Sequence, residues 1–136
     1  MIQLHSPLTK RLIWMPPGGG VQQGESLTDC VEREVLEECA LIVKAQELMY
    51  VTELILPEAH VIEFYFRCSF LSGSLQLGED PERSKRILQA AEWVPVEQLS
   101  KKANVHPAFL RERLAHDLTS EIQLPYFFKT GSTIHQ

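Results

Sequence analysis

The sequence predicts a single domain of the α/β (α+β) class, an α/β/α sandwich in which helices pack on a central mixed β-sheet. The chain has 136 residues and a hydrophobic fraction of 44%, which is the size and composition of one domain with an ordinary core. Strand-like and helical runs alternate along the chain, as in an α/β sandwich. Because no internal repeat or low-complexity segment interrupts them, one domain over residues 1–136 is expected.

Short apolar runs and a capped helix occupy the first third of the chain. Strands are predicted over Ile2–His5 and Leu12–Met15, because proline or glycine soon follows each run. Either Ser26 or Thr28 can cap the amino terminus of a helix. A helix is therefore predicted from one of these residues to about Cys39.

The remainder of the chain predicts a hairpin, a further strand and two helices. The signals are runs of β-branched and aromatic residues separated by turn residues, and prolines near helix starts. The predicted elements are strands 45–56 and 60–71 joined by a turn at 57–59, a strand over 87–94, and helices over 95–99 and 108–118. The tail from 119 to 136 has no clear period, although Tyr126-Phe127-Phe128 is available to dock on the domain.

Charge and cysteine content exclude several classes of partner. The formal charge of −5 argues against broad nonspecific binding to nucleic acid or anionic membrane. No apolar run approaches the ~20 residues needed to span a bilayer, and no signal-peptide pattern opens the chain. The three cysteines show no CxxC spacing, which fits reduced thiols in a cytoplasmic protein.

Three carboxylates, Glu34, Glu37 and Glu38, crowd one short segment soon after a run of three glycines. On a wheel of about 100° per residue, they share a side of the helix with its apolar residues. A solvated acidic face would lie opposite the apolar stripe. We therefore expect the carboxylates to point along the helix flank into a cleft, although Leu36 on the outer side does not fit this pattern.

Divalent metal ions are the plainest partners for carboxylates packed so closely, since like charges repel unless a positive charge lies between them. Mg²⁺ and Mn²⁺ accept hard oxygen ligands and bind substrate phosphates. Glycines allow backbone carbonyls to approach a metal, or backbone N–H groups to approach a phosphate. Each feature has a simpler reading, since the glutamates alone could be a solvated face and the glycines alone a turn.

The spacing of these residues resembles the Nudix box, Gly-x5-Glu-x7-Arg-Glu-U-x-Glu-Glu-x-Gly-U, where U is aliphatic. Six charged or glycine positions match at fixed spacing, and a looser resemblance continues through Trp93-Val94-Pro95-Val96 to about Leu114. The box segment (residues 19–41) reads Gly19, Glu25, Arg33, Glu34, Val35, Glu37, Glu38, Ala40 and Leu41.

The resemblance implies a Nudix-like sandwich that hydrolyses a nucleoside diphosphate linked to another group, with Mg²⁺ or Mn²⁺. The implied metal ligands are Glu34, Glu37 and Glu38, with a backbone carbonyl from Gly18 or Gly19. Glu37 and Glu38 are also the implied catalytic carboxylates. Glu25 and Arg33 are implied to support them, because a guanidinium can hold several carboxylates through charge-assisted hydrogen bonds. The alternative for Arg33 is an ordinary surface ion pair.

Several residues beyond the box are further candidates. The family often needs one more acid from a loop, as metal ligand or general base. Glu82 is favoured for this role and Glu79 follows, with a solvated acidic loop as the alternative. Arg11 and Arg67 are candidates to hold substrate phosphate, and plain surface charge is the alternative for both.

Two departures from the family pattern stand out. Ala40 replaces the final glycine of the box, where a positive φ is often needed. Alanine would cost about 1 kcal/mol there, so the conformation of the turn can differ from that of the family. The change removes none of the implied metal ligands. Family members carry a strand and turn before the segment resembling Ile2–His5, so either the sequence is shortened or the sheet lacks that strand. A missing strand would expose a sheet edge that a partner chain could cover, and a homodimer is expected.

The sequence therefore predicts hydrolysis of a diphosphate linkage by attack of water at phosphorus. ADP-ribose or a similar nucleotide sugar is favoured, because Pro57 stands near a spacing that resembles the ADP-ribose pyrophosphatase subgroup, although the hairpin turn alone also accounts for a proline there. Other nucleotide-derived small molecules stay open, namely (d)NTPs and dinucleoside polyphosphates, together with RNA 5′ ends. Two further alternatives are a noncatalytic module that senses a nucleotide and a domain in which the acids serve only the fold.

Overall fold

The computed structural model describes residues 1–6, 10–78, 88–121 and 123–130, with the backbone alone described for 128–130. Strands and helices are mixed along the described chain, and the α+β class is confirmed. The elements are β1 (Ile2–His5), β2 (Leu12–Met15), α1 (Leu27–Cys39), β3 (Leu41–Leu56), β4 (Ala59–Gly73), β5 (Leu88–Ala91), α2 (Val96–Leu99), α3 (Phe109–Asp117) and β6 (Tyr126–Thr130).

The described strands form two three-stranded sheets, whereas one central sheet was expected. The first sheet has the order β2-β1-β5, and both of its pairings are antiparallel. The second has the order β4-β3-β6 and is mixed, since β3 pairs antiparallel with β4 and parallel with β6. The register of β3 with β4 shifts at three places. Bulges of this kind bend a strand and increase its twist.

Helix α1 begins and ends close to its predicted bounds. Ser26 is the N-cap, and its hydroxyl accepts a 3.1 Å hydrogen bond from the backbone N–H of Asp29. This contact identifies Ser26, rather than Thr28, as the capping residue. At the other end, Ala40 adopts the left-handed conformation with φ 56°, and its N–H donates to the carbonyl of Leu36 at 3.0 Å. The turn therefore keeps the glycine-type geometry although the residue is alanine.

Two clusters of buried side chains form the core. The first joins β1, β2, α1, β5 and the start of β3, and α1 contributes Val35 and Cys39 to it. The second lies between β3 and the later helices, and includes Tyr50 and Leu110. In the second cluster, the hydroxyl of Tyr50 donates a 2.9 Å hydrogen bond to the buried carboxylate of Asp117. Val35 and Cys39 therefore fix which side of α1 faces the core.

The tail contains a strand that the sequence pattern does not predict. β6 pairs parallel with the middle of β3, with Tyr126 opposite Tyr50. β3 also begins at Leu41 rather than Ala45, because its first residues pair with the end of β4. Both differences have one physical cause. A distant strand supplies the backbone hydrogen bonds, so these residues form a strand without an alternating pattern of apolar and polar residues in the sequence. In the described part of the chain, no helix has the length and apolar character that crossing a bilayer requires.

Candidate active site

Arg33 is the centre of the candidate site. Its guanidinium forms a two-point ion pair with Glu25, with Nε 2.6 Å from Oε1 and Nη2 3.1 Å from Oε2. Nη1 donates to Glu34 and to Glu37, both at 3.1 Å. Nη2 also donates to the carbonyl oxygen of Gly20 at 3.2 Å. One side chain therefore joins two box carboxylates, the supporting Glu25 and the glycine loop.

Arg33 and Glu25 each stabilise the charged form of the other. The Arg33 guanidinium lowers the pKa of Glu25 to about 2 through its hydrogen bonds. In turn, the hydrogen bond to Glu25 raises the pKa of Arg33 above its ordinary value. Both side chains are consequently charged at neutral pH, which keeps the two-point ion pair intact.

The glycine loop, residues 18–20, is attached to α1 by further contacts. The backbone N–H of Gly18 donates a 2.7 Å hydrogen bond to Oε1 of Glu38. The thiol of Cys30 lies 3.7 Å from the carbonyl oxygen of Gly19 and 3.6 Å from that of Gly20. Burial raises the pKa of the Cys30 thiol, so it stays protonated and able to donate. These contacts hold the loop backbone beside the carboxylates.

The direction predicted for the carboxylates by the helical wheel is confirmed for Glu34 and Glu38, which are 2% and 0% exposed. The side chain of Glu37 is 29% exposed and reaches the rim of the group. Leu36 faces outward and is half exposed. Val35 and Cys39 pack against the core, and Glu34 and Glu38, which precede each of them in the chain, are buried beside them.

The donor set fits hard divalent cations. Three carboxylates, those of Glu25, Glu34 and Glu37, contact one guanidinium, which leaves a formal excess of two negative charges, and Glu38 on the same helix adds a third. Carboxylate and carbonyl oxygens are the ligands that Mg²⁺ and Mn²⁺ prefer. As they stand, however, no three His, Cys, Asp or Glu side chains in the described ranges converge on one metal position. Arg33 contacts Glu34 and Glu37 while Glu38 is turned toward Gly18, so rotation of these side chains would be needed to share one ion.

The remaining predicted site residues lie elsewhere or outside the described chain. Glu79 and Glu82 fall in 79–87, which is outside the described residues. Arg67, on β4, forms an exposed ion pair with Glu47 at 3.3 Å. Arg11 is exposed and lies just before β2, where its carbonyl oxygen accepts a 2.8 Å hydrogen bond from the N–H of Ser6. Phosphate binding by either arginine stays a prediction.

The segment from Leu75 to Gly78 contributes to the site, and sequence reasoning missed it. The N–H of Gly78 donates to the carbonyl of Glu38, and the N–H of Gln76 donates to that of Cys39, both at 3.0 Å. The last carbonyls of a helix lack partners within the helix, and this segment supplies two. A glycine just after strand-like residues can mark close backbone approach, and this was the signal available in the sequence.

Fold and site together define a class of protein: an α+β domain in which a glycine loop and an arginine-centred group of helix carboxylates are joined. A model of the NUDIX domain matches residues 4–114, and the chain belongs to the NUDIX family. Members of this family generally use divalent metal ions.

One relative is described as an ADP-ribose pyrophosphatase from Methanocaldococcus jannaschii, and it is 32% identical over 98 residues. The aligned region covers 71% of this chain and 54% of the relative. The chain therefore spans about half the length of that protein.

Proposed function

We propose that the chain hydrolyses the diphosphate linkage of a nucleoside diphosphate derivative by attack of water at phosphorus. The observation that carries this proposal is the Arg33-centred group of carboxylates on the box helix of a NUDIX-family chain. ADP-ribose or a similar nucleotide sugar is the proposed substrate. The similarity to a protein described as an ADP-ribose pyrophosphatase supports that choice.

Glu34, Glu37 and Glu38 would hold Mg²⁺ or Mn²⁺, with a backbone carbonyl from Gly18 or Gly19. When bound, such ions polarise the diphosphate and lower the pKa of a coordinated water. The negative excess of the carboxylate group supplies the attraction for the cation. The attachment of the glycine loop to α1 supports the assignment of the carbonyl ligand, since loop and carboxylates are already held together.

Arg33 and Glu25 are proposed to orient the ligands rather than to bind the metal. The two-point ion pair fixes the guanidinium, and the guanidinium fixes one oxygen each of Glu34 and Glu37. Glu82, or alternatively Glu79, is proposed to accept the proton from water. Both lie in 79–87, outside the described residues.

We also propose that the protein is a single cytoplasmic domain that forms homodimers. None of the three cysteines forms a disulfide, which is consistent with a reducing compartment. Large apolar side chains are exposed on the second sheet, among them Ile62, Phe64 and Phe127, and a second copy could cover them. Light scattering tests the dimer, and a monomeric mass at micromolar concentration would exclude it.

A nucleotide panel tests the proposed reaction. The wild-type protein and Glu38→Gln are incubated with Mg²⁺ and ADP-ribose, a (d)NTP, a dinucleoside polyphosphate or a capped RNA. We expect wild type to release AMP from ADP-ribose and the variant to lose at least about 100-fold in rate. Substitution of residues that only support metal ligands already lowers activity by about 10–100-fold, and Glu38 is a proposed ligand. If product is released from another member of the panel instead, the proposed reaction stands and the proposed substrate is wrong.

A noncatalytic nucleotide sensor is the second candidate function. It would bind ADP-ribose without yielding phosphate or nucleoside monophosphate from any member of the panel. The presence of every box carboxylate favours the enzyme, since a sensor has no need for the full set. A domain in which the acids serve only the fold would also show no metal-dependent shift in melting temperature.

A further inference from the structure

We propose that Gly78 is a positioning residue for Glu37 and Glu38. Because Gly78 has no side chain, the segment Leu75–Gly78 can close directly on the last turn of α1 and fix the backbone from which both carboxylates extend. This inference rests on the proposed function, in which those carboxylates bind the metal.

The segment is attached to the helix end by two backbone hydrogen bonds. Gly78 donates to the carbonyl of Glu38, and Gln76 donates to the carbonyl of Cys39, each at 3.0 Å. At the other end of the segment, Leu75 packs against the first core cluster. The last turn of α1 is therefore held between the core and a second length of chain, which limits how far its carboxylates can shift.

Close approach is possible only without a side chain at position 78. A Cβ added to Gly78 would lie 1.6 Å from the carbonyl oxygen of Glu37, 2.8 Å from its carbonyl carbon and 3.2 Å from the Cα of Glu38. All three atoms belong to the backbone, so no rotamer change can relieve the collision. Any substitution must displace either the segment or the turn that carries Glu37 and Glu38.

Gly73 provides a matched control at the same end of the helix. A Cβ there would lie 2.5 Å from the carbonyl oxygen of Ala40, and its φ of +104° is unfavourable for any side chain. Gly73→Ala should therefore also destabilise the fold. Its collision falls beyond the helix, however, and not on the residues that carry the carboxylates.

Calorimetric titration with Mn²⁺ and ADP-ribose hydrolysis are measured for wild type, Gly78→Ala and Gly73→Ala, together with melting temperatures. We expect Gly78→Ala to bind Mn²⁺ at least about tenfold more weakly and to lose at least about tenfold in kcat, since small misplacements of catalytic groups cost up to 10²-fold. Gly73→Ala should stay within about twofold in both despite a similar loss of melting temperature. Wild-type Mn²⁺ affinity in Gly78→Ala, or equal weakening in both variants, would overturn the proposal.

The two proposals fail in different ways. If wild type binds Mn²⁺ but hydrolyses no substrate, the proposed reaction fails, while the Mn²⁺ affinities of the two variants still decide the role of Gly78. If Gly78→Ala does not fold, amide hydrogen exchange of the wild-type protein replaces it. We expect the N–H of Gly78 to be protected and Mg²⁺ to slow its exchange further. Exchange as fast as that of an exposed amide, with or without Mg²⁺, would overturn the positioning role.

Discussion

The backbone N–H of Gly18 donates a 2.7 Å hydrogen bond to Oε1 of Glu38, whose side chain is completely buried. The bond joins the glycine loop to the end of α1, across 20 residues of chain. Glu38 thus has a structural role that can be separated from the charge it would offer to a metal ion.

Replacing Glu38 by alanine and by glutamine should separate these two roles. Glu38→Ala removes the acceptor and should lower the free energy of unfolding by about 1–3 kcal/mol. Glu38→Gln keeps an oxygen that can accept from Gly18 and removes one of several crowded negative charges, so its stability in EDTA should equal or exceed that of wild type. Urea unfolding measures both changes, and equal losses would show that the hydrogen bond to Gly18 is unimportant.

Arg33→Lys should destabilise the protein although the charge is kept. An ammonium group cannot form the two-point pair with Glu25 and still reach Glu34, Glu37 and Gly20. Because Arg33 is still partly exposed, we expect a loss of about 2 kcal/mol, below the range for fully buried pairs. The control is Arg67→Lys in the exposed pair with Glu47, which should change stability by less than about 0.5 kcal/mol. Similar losses in both variants would contradict a central role for Arg33.

Acid should remove the contribution of Glu25 to stability. Its pKa lies near 2 in the folded protein, below the ordinary value of 4.5. A lowered pKa stabilises the fold above the ordinary value, and the contribution disappears as the pH falls through the folded value. The stability difference between wild type and Glu25→Gln should therefore be constant above about pH 5 and shrink between about pH 4.5 and 2. A difference that is independent of pH across this range would contradict the ion pair.

Ala40→Gly should stabilise the protein, because Ala40 holds a left-handed φ of 56°. Glycine adopts this conformation without the steric penalty, and we expect a gain of about 0.5–1 kcal/mol in the free energy of unfolding. Ala108→Gly is the matched control, since Ala108 has an ordinary helical φ of −61° and should lose stability or stay unchanged. Thermal unfolding compares the two, and a loss at position 40 would show that the turn is not strained.

Local patterns predicted the first part of the fold well. Strands β1 and β2 have the predicted bounds, and α1 starts and ends within a residue of them. Prolines, glycines and a capping serine are signals that act within a few residues, so they can be read from the chain directly. The same holds for the inward direction of Glu34 and Glu38, because helical spacing decides which residues share a side.

Long-range features could not be predicted in this way. β6 was missed because its partner, the middle of β3, is far away in the chain. The division of the strands into two sheets was missed because it depends on which strands pair across the chain and not on residue type. The contact of the Cys30 thiol with the carbonyls of the glycine loop could not be predicted either, because it depends on how the loop folds back onto α1.

The sequence by itself determined which chemical groups the candidate site contains, since the box spacing places three carboxylates and an arginine on one helix. Only the tertiary structure decided what these groups contact. Gly18 donates a hydrogen bond to Glu38, Glu25 forms an ion pair with Arg33, and Gly78 lies close to the carbonyl of Glu37. The physical reason is that helical spacing is a local property of the backbone, whereas close approach of distant segments depends on how the whole core packs.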